Sequence, residues 1–339
     1  QVQTPIGVTK YKDQLLWVSR DQVYSYSEGA TVFQNEGSFD AIVPKSSIVV
    51  QNGKEQSELQ CAYLQGYKVF VYMEGSVHKI SVVDDESGSY VLYNQTVPGS
   101  TRTGGLRIVV KDNKIILFGT DGSNVLKIQR FDLLGYLKDG LAFESSAAGA
   151  LGAENTVATL HSSQKYDVAV SAISLIIAYY DNSASELKFA KEPANTETLT
   201  TGIDPFTVGI VPANAIDLTV DLFGKFILVT ANGSGVVKLA ILGADVTQVK
   251  APTTIEDVTS ANFDSAVNVT AQTIDGFTYD VFYQVYESAP SVFTITGGTT
   301  AASTTAGLDF TWSNHHIRKN TFSYSTSTAG TASTIMRGA

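Results

Sequence analysis

Four aspartates fall on or beside strand-like segments and could act as paired carboxylates: Asp167, Asp217, Asp221 and Asp275. Two carboxyl groups flanking a sugar linkage perform glycoside hydrolysis, one as acid and the other as nucleophile or base. These four do not recur at equivalent places along the chain, so spacing alone makes no pair of them. The histidines are His78, His161, His315 and His316. Neighbouring residues on a strand point to opposite faces, so His315 and His316 chelate one metal poorly. The run Asp84-Asp-Glu86 has oxygen ligands for Ca²⁺ but sits where a strand ends, and reads as a solvated turn. Asp121-Gly-Ser-Asn124 lacks the alternating acids of a Ca²⁺ loop. Asn232-Gly-Ser-Gly235 lies between two strands rather than before a helix, so it reads as a hairpin turn and not a phosphate cradle. No nucleophile elbow, phosphate-binding lysine loop or His-Glu-x-x-His zinc motif is present. The sequence therefore assigns no catalytic residue, no metal ligand and no cofactor site, and the expectation is a protein that is not an enzyme. Cys61, the single cysteine, lies in the apolar run Leu59–Leu64 and reads as a buried small hydrophobe. The sequons at Asn94, Asn232 and Asn268 are expected by chance in a chain this rich in Asn, Ser and Thr.

Composition narrows the partners. The 339 residues are 43% hydrophobic, enough for a sizeable core, but only 17% charged. Average soluble domains carry about 25% charge. The formal net charge is −10, and the densest basic clusters are Arg318-Lys319 and the scattered pair Arg102 and Arg107. Nucleic-acid binding needs a basic patch, so it is not expected. No stretch approaches 18 consecutive apolar residues, so no membrane-spanning segment is expected. The chain begins Gln-Val-Gln-Thr-Pro5 without an initiator Met or a signal-peptide pattern. It reads as a processed product or a piece of something longer.

The elements that must position these residues are strands. Apolar–polar alternation and β-branched runs recur throughout, punctuated by Gly, Asn, Asp and Ser. Six strongly apolar segments stand out: Leu15–Ser19, Val69–Met73, Ile115–Gly119, Leu175–Tyr180, Phe226–Thr230 and Val281–Tyr286. They recur about every 50 residues, the length of one propeller blade. Each is preceded by another strand: Gly7–Tyr11, Leu59–Leu64, Leu106–Lys111, Asp167–Ile173, Ala215–Leu222 and Asn268–Ile274. Each is followed by a third: Gln22–Tyr26, Val77–Val83, Leu126–Phe131, Glu186–Ala190, Val236–Ile241 and Ser291–Thr296. Weaker fourth strands are expected at Thr31–Phe33, Tyr90–Tyr93, Leu141–Phe143, Thr198–Thr200, Val246–Lys250 and Leu308–Trp312. The expectation is an all-β chain: a β-propeller of six or seven four-stranded blades, with tandem β-sandwiches as the alternative. Residues 1–326 would form one propeller domain and 327–339 a Ser/Thr/Ala-rich arm or linker.

The run Gly7–Ser19 followed by Gln22-Val-Tyr-Ser-Tyr26 resembles propeller strands in tail proteins of podovirus-type phages, such as the tail nozzle. The resemblance is one of pattern and carries over no functional residue. It implies a structural or adaptor protein of a tailed-phage virion, in contact with other virion proteins and arranged as a homo-oligomeric ring or multi-copy assembly. The inter-blade segments Asn35–Ser57 and Ser145–Lys165 would then be contact elements. Two alternatives stay open. One is a propeller that binds or degrades surface carbohydrate, and the other is a bacterial surface or periplasmic interaction protein, which would place the chain outside the cell.

Overall fold

In the computed structural model the described residues are all-β except for one short helix. The structure describes the backbone of 5–11, 14–19, 22–27, 34–38, 60–257 (without 208, 214 and 235), 265–273, 278–286, 315–323 and 336–337; side chains are described for 60–255, with the same exceptions, and for 278–279.

Among the described residues, twenty-four strands form six four-stranded antiparallel sheets, each a meander in chain order. The first holds β1 (Pro5–Tyr11), β2 (Gln14–Ser19), β3 (Gln22–Ser27) and β4 (Gln34–Ser38). The second holds β5 (Gln60–Leu64), β6 (Tyr67–Glu74), β7 (Val77–Asp84) and β8 (Tyr90–Thr96). The third holds β9 (Gly104–Lys111), β10 (Lys114–Thr120), β11 (Val125–Phe131) and β12 (Asn155–Thr159), with helix α1 (Leu133–Lys138) between its last two strands. The fourth holds β13 (Tyr166–Val170), β14 (Ser174–Tyr180), β15 (Leu187–Pro193) and β16 (Thr200–Ile203). The fifth holds β17 (Ala215–Val220), β18 (Phe226–Ala231), β19 (Val236–Leu242) and β20 (Gln248–Asp257). The sixth holds β21 (Ser265–Thr273), β22 (Thr278–Tyr286), β23 (His315–Ser323) and β24 (Met336–Arg337).

Burial follows position in the meander. Every residue of β14 and β18 is buried, whereas β16 is mostly exposed. A second strand has a ladder on both edges and packing on both faces, which explains its near-continuous apolar sequence. Tyr72, Phe118, Tyr179 and Phe226 are core residues, as their place in the repeat strands predicts. Cys61 is only half-buried, because a first strand has a ladder on one edge alone.

The tight first hairpins are written in the sequence. Asp112 and Asn113 between β9 and β10 have φ of 50° and 59°. Two consecutive left-handed residues make the turn whose twist matches the flanking strands, and Asp and Asn tolerate that backbone best after glycine.

Two departures from the sequence expectation stand out. Leu141–Phe143 forms no strand; the fourth place in the third sheet goes to Asn155–Thr159. Phe143 instead packs edge-on to Phe131 with ring centres 5.5 Å apart, and Tyr136 of α1 completes the cluster. Asn155–Thr159 buries only Val157, a polar pattern suited to an outer edge. In the sixth sheet the third strand is His315–Ser323, paired with β22 from Thr278↔Ser323 to Tyr286↔His315. The segments Ser291–Thr296, Leu308–Trp312 and Thr31–Phe33 lie outside the described residues. Met336–Arg337, inside the stretch read as an arm, pairs with β23.

The chain divides into two compact units. The N-terminal unit takes residues 1–164, 181–183 and 192–201, and the C-terminal unit takes 165–180, 184–191 and 202–339. In the first, a core of Val69, Val71, Ile80, Leu106, Ile115, Leu117 and Phe131 joins the second and third sheets. In the second, Ile176, Ala178, Phe189, Phe226, Leu228 and Leu242 join the fourth and fifth. Within each unit the first strands lie side by side: β1, β5 and β9 in one, β13, β17 and β21 in the other.

Candidate functional site

The carboxylates singled out by the sequence are held by the fold. Asp167 on β13 accepts the Leu218 backbone N–H of β17 at 2.8 Å, which brings it beside Asp217 on the neighbouring strand. Asp221 follows β17; its Oδ1 accepts the N–H groups of Phe223 (2.8 Å) and Lys225 (2.9 Å), and its Oδ2 accepts the Tyr279 hydroxyl at 3.0 Å. Asp167 therefore ties one strand to the next, and Asp221 braces a hairpin. Asp275 lies outside the described residues.

The turn readings hold in the geometry. Asp84 Oδ1 accepts from Glu86 N, Ser87 N and the Ser87 hydroxyl. The Ser87 bonds come first among the causes that hold its carboxyl below the usual range. Asp85 pairs with Lys68 at 2.9 Å. Asp121 Oδ1 accepts Ser123 N at 2.8 Å and Val125 N at 3.0 Å. Asn232 Oδ1 does the same with Ser234 N and Val236 N, both at 2.9 Å. Among the described residues no group of three or more His, Cys, Asp or Glu side chains could hold a metal ion. His315 and His316 take adjacent register positions opposite Tyr286 and Val285. Asn94 is half-buried with φ 47°, and its side chain accepts the Tyr72 hydroxyl at 2.9 Å.

The sequence did not point to a buried polar network in the N-terminal unit. Arg102, in the crossover between the second and third sheets, is 1% exposed. It donates to Leu117 O at 2.9 Å, to Gln129 Oε1 and to Ser100 Oγ, and pairs with Glu154 at 3.2 Å. Ser100 Oγ also meets His78 Nδ1 at 3.1 Å. Burial first, and then the Arg102 cation, hold the His78 imidazole well below the ordinary histidine range. These Arg102 partners are part of the fold, so the cluster reads as a fastening between sheets.

The feature that faces outward is in the C-terminal unit. The first hairpins there end in apolar tips: Ile173 between β13 and β14 is 62% exposed, and Leu222 and Phe223 between β17 and β18 are 85% and 56% exposed. Val249 on β20, 46% exposed, lies at the same end of the fifth sheet. A hydrogen bond from Ser174 Oγ to Ala244 O, 2.7 Å, ties the Ile173 turn to the β19–β20 turn, so the four residues share one end of the unit. The hairpin carrying Leu222 and Phe223 is fixed by Asp221 and the buried Tyr279 beneath it. The N-terminal unit does the opposite: its tips are Gln65-Gly66 and Asp112-Asn113, bonded to each other through Gln65 Nε2 and Asn113 Oδ1 at 3.1 Å. One sequence signal could have found the difference, namely Leu-Phe inside an Asp-x-x-Gly turn, where polar residues are usual.

No helix among the described residues is long and apolar enough to cross a membrane. No family model matches the sequence, and no curated protein matches it. Solved structures do. An α-L-arabinofuranosidase from Clostridium thermocellum ATCC 27405 matches at 13% identity and TM-score 0.40 over 73% of this chain and 92% of its own. The SapL1 lectin, solved with α-methyl fucoside, matches at 9% identity and TM-score 0.48 over 85% and 95%. A triple mutant of AofleA from Arthrobotrys oligospora matches at 12% identity and TM-score 0.47 over 91% and 78%. At these identities and scores the likenesses transfer no activity or ligand to this chain.

Proposed function

We propose that the chain is a non-catalytic β-propeller-type module that assembles with further copies of itself through the hairpin end of its C-terminal unit. The carrying observation is the exposed apolar set Ile173, Leu222, Phe223 and Val249, two of whose residues ride on a hairpin braced from below. Large apolar side chains held out at one end of a unit mark an interaction site, because nothing in a monomer rewards their exposure. Propeller geometry is supported by six consecutive four-stranded meanders and by first strands that run side by side within each unit.

A second copy is the favoured occupant for two reasons. An apolar patch is complementary to itself, as a two-fold contact requires. Two copies each carrying −10 also repel least where the facing tips bear no charge. Three of the four residues are aliphatic, whereas sugar rings stack on aromatic faces, so a glycan is the weaker fit. A multi-copy particle such as a tailed-phage virion, the setting the first hairpin resembles, is where such contacts would serve.

Sedimentation velocity over a concentration series tests the reading. Reversible association that is lost in Leu222→Ser/Phe223→Ser supports it. A monomer at every concentration overturns it. So does glycan-array binding that disappears with Phe223→Ala, which would make the same patch a carbohydrate site.

A further inference from the structure

At the opposite end of the fifth sheet, a cavity of ≈ 150 Å³ is lined by Gly209, Ile210, Val211, Thr230, Asn232, Val236 and Lys238. Thr230 and Lys238 are cross-strand partners, so both face the same side as Leu228 and Ala240 two pairs further in. That side packs on the fourth sheet. Gly209, Ile210 and Val211 of the crossover loop form one wall of the cavity, pinned by the Leu187 N–H to Ile210 O at 2.8 Å.

The third sheet carries the same turn. Asp121-Gly-Ser-Asn-Val-Leu-Lys127 aligns with Asn232-Gly-Ser-Gly-Val-Val-Lys238, and in each the first side chain accepts two backbone N–H groups through Oδ1. In the third sheet the second carboxylate oxygen of Asp121 is left to meet Lys127 at 3.5 Å. In the fifth sheet that atom is the Asn232 amide nitrogen, which cannot neutralise a lysine. Among the described residues Lys238 makes no ion pair. Glu186, which lies against Gly209, is held by Lys188 at 2.5 Å. The polar lining of the cavity consequently offers mostly donors: the Lys238 ammonium, the Asn232 amide N–H groups and the Thr230 hydroxyl. Ile210, Val211 and Val236 supply an apolar wall.

We infer that this cavity binds the carboxylate group of a small ligand, which gives Lys238 the counter-charge that the Asp121 carboxylate gives Lys127 in the third sheet. Its volume equals that of about five liquid waters at about 30 Å³ each, enough for a short-chain acid or for the acidic end of a larger molecule. The carboxylate would sit between Lys238 and Asn232, with its carbon substituent against Ile210 and Val236. A free short acid and a sugar acid share this chemistry.

Saturation-transfer NMR and calorimetry with acetate, glucuronate and inorganic phosphate on the whole chain test the inference. The expected result is binding of acetate or glucuronate, weakened at least tenfold in Asn232→Asp, which supplies its own carboxylate, and likewise in Lys238→Ala. Acetate binding identifies a small-acid site, and glucuronate binding alone identifies an acidic-sugar site. Asn232→Asp keeps the turn, because Asp121 already forms it in the third sheet, so folding does not confuse the readout. Absence of binding by both acids, phosphate binding tighter than either, or affinity unchanged in Asn232→Asp would overturn the inference.

Discussion

The third and fifth sheets use one hairpin in two ways. Residue for residue, Ile115↔Phe131, Leu117↔Gln129 and Gly119↔Lys127 correspond to Phe226↔Leu242, Leu228↔Ala240 and Thr230↔Lys238. In the third sheet the preceding crossover sends Arg102 across Gly119, and its guanidinium fills the rim of the inter-sheet core. In the fifth sheet the preceding crossover lays Ile210 and Val211 over the rim and leaves it hollow. The lesson is that the repeat fixes the sheet, while the variable crossover decides whether a rim is fastened or open.

Removing the fastening should have the largest effect. Arg102→Ala leaves Glu154 and Gln129 without their buried partner, and should destabilise the N-terminal unit by about 3–5 kcal/mol in urea denaturation. Arg102→Met/Glu154→Gln should recover part of that loss, since no buried charge is then orphaned. A smaller cost should follow from Gly119→Ala. A methyl there would lie 2.9 Å from Arg102 Cδ and 3.0 Å from Leu106 Cδ2, and Arg102 is too tightly bonded to move away, so about 1–3 kcal/mol should be lost. The fifth sheet already holds Thr230 at that place.

A third effect appears only in acid. The folded N-terminal unit keeps His78 unprotonated, whereas the unfolded chain takes up that proton below about pH 6.5. Stability should therefore be unaffected above that value and fall as pH drops through it. Urea midpoints between pH 7.5 and 5.5 check this, and His78→Gln should flatten the profile. Exchanging the turn residues should have opposite and small effects. Asn232→Asp should add about 0.5 kcal/mol through Lys238, and Asp121→Asn should remove about as much through Lys127, because both pairs lie near solvent. Smallest of all, Leu222→Ser/Phe223→Ser should change stability by less than about 0.5 kcal/mol while abolishing self-association. A large loss would mean that these tips are core rather than interface.

Much of the fold was legible in the sequence. All six second strands were placed within a few residues, because each is an apolar run that no turn interrupts; where burial is described, both faces are covered. Outer strands were less legible. Asn155–Thr159 falls inside Ser145–Lys165, read as an inter-blade contact element, because it buries only Val157, and a long stretch of chain separates His315–Ser323 from β22. The candidate surfaces were hardly legible at all. Leu222 and Phe223 read as the end of a strand and the start of a turn, and Arg102 as a scattered basic residue.

What the sequence determined by itself is the period: strand, tight turn, strand, with Asp or Asn where the backbone must turn, because those are local preferences of single residues and pairs. What only the tertiary structure decided is which rim is filled, which hairpin tips are left apolar and which lysine lacks a carboxylate. Those depend on crossovers that bring Arg102 to Gly119 and Ile210 to Thr230, and no local rule encodes a contact made across so much intervening chain.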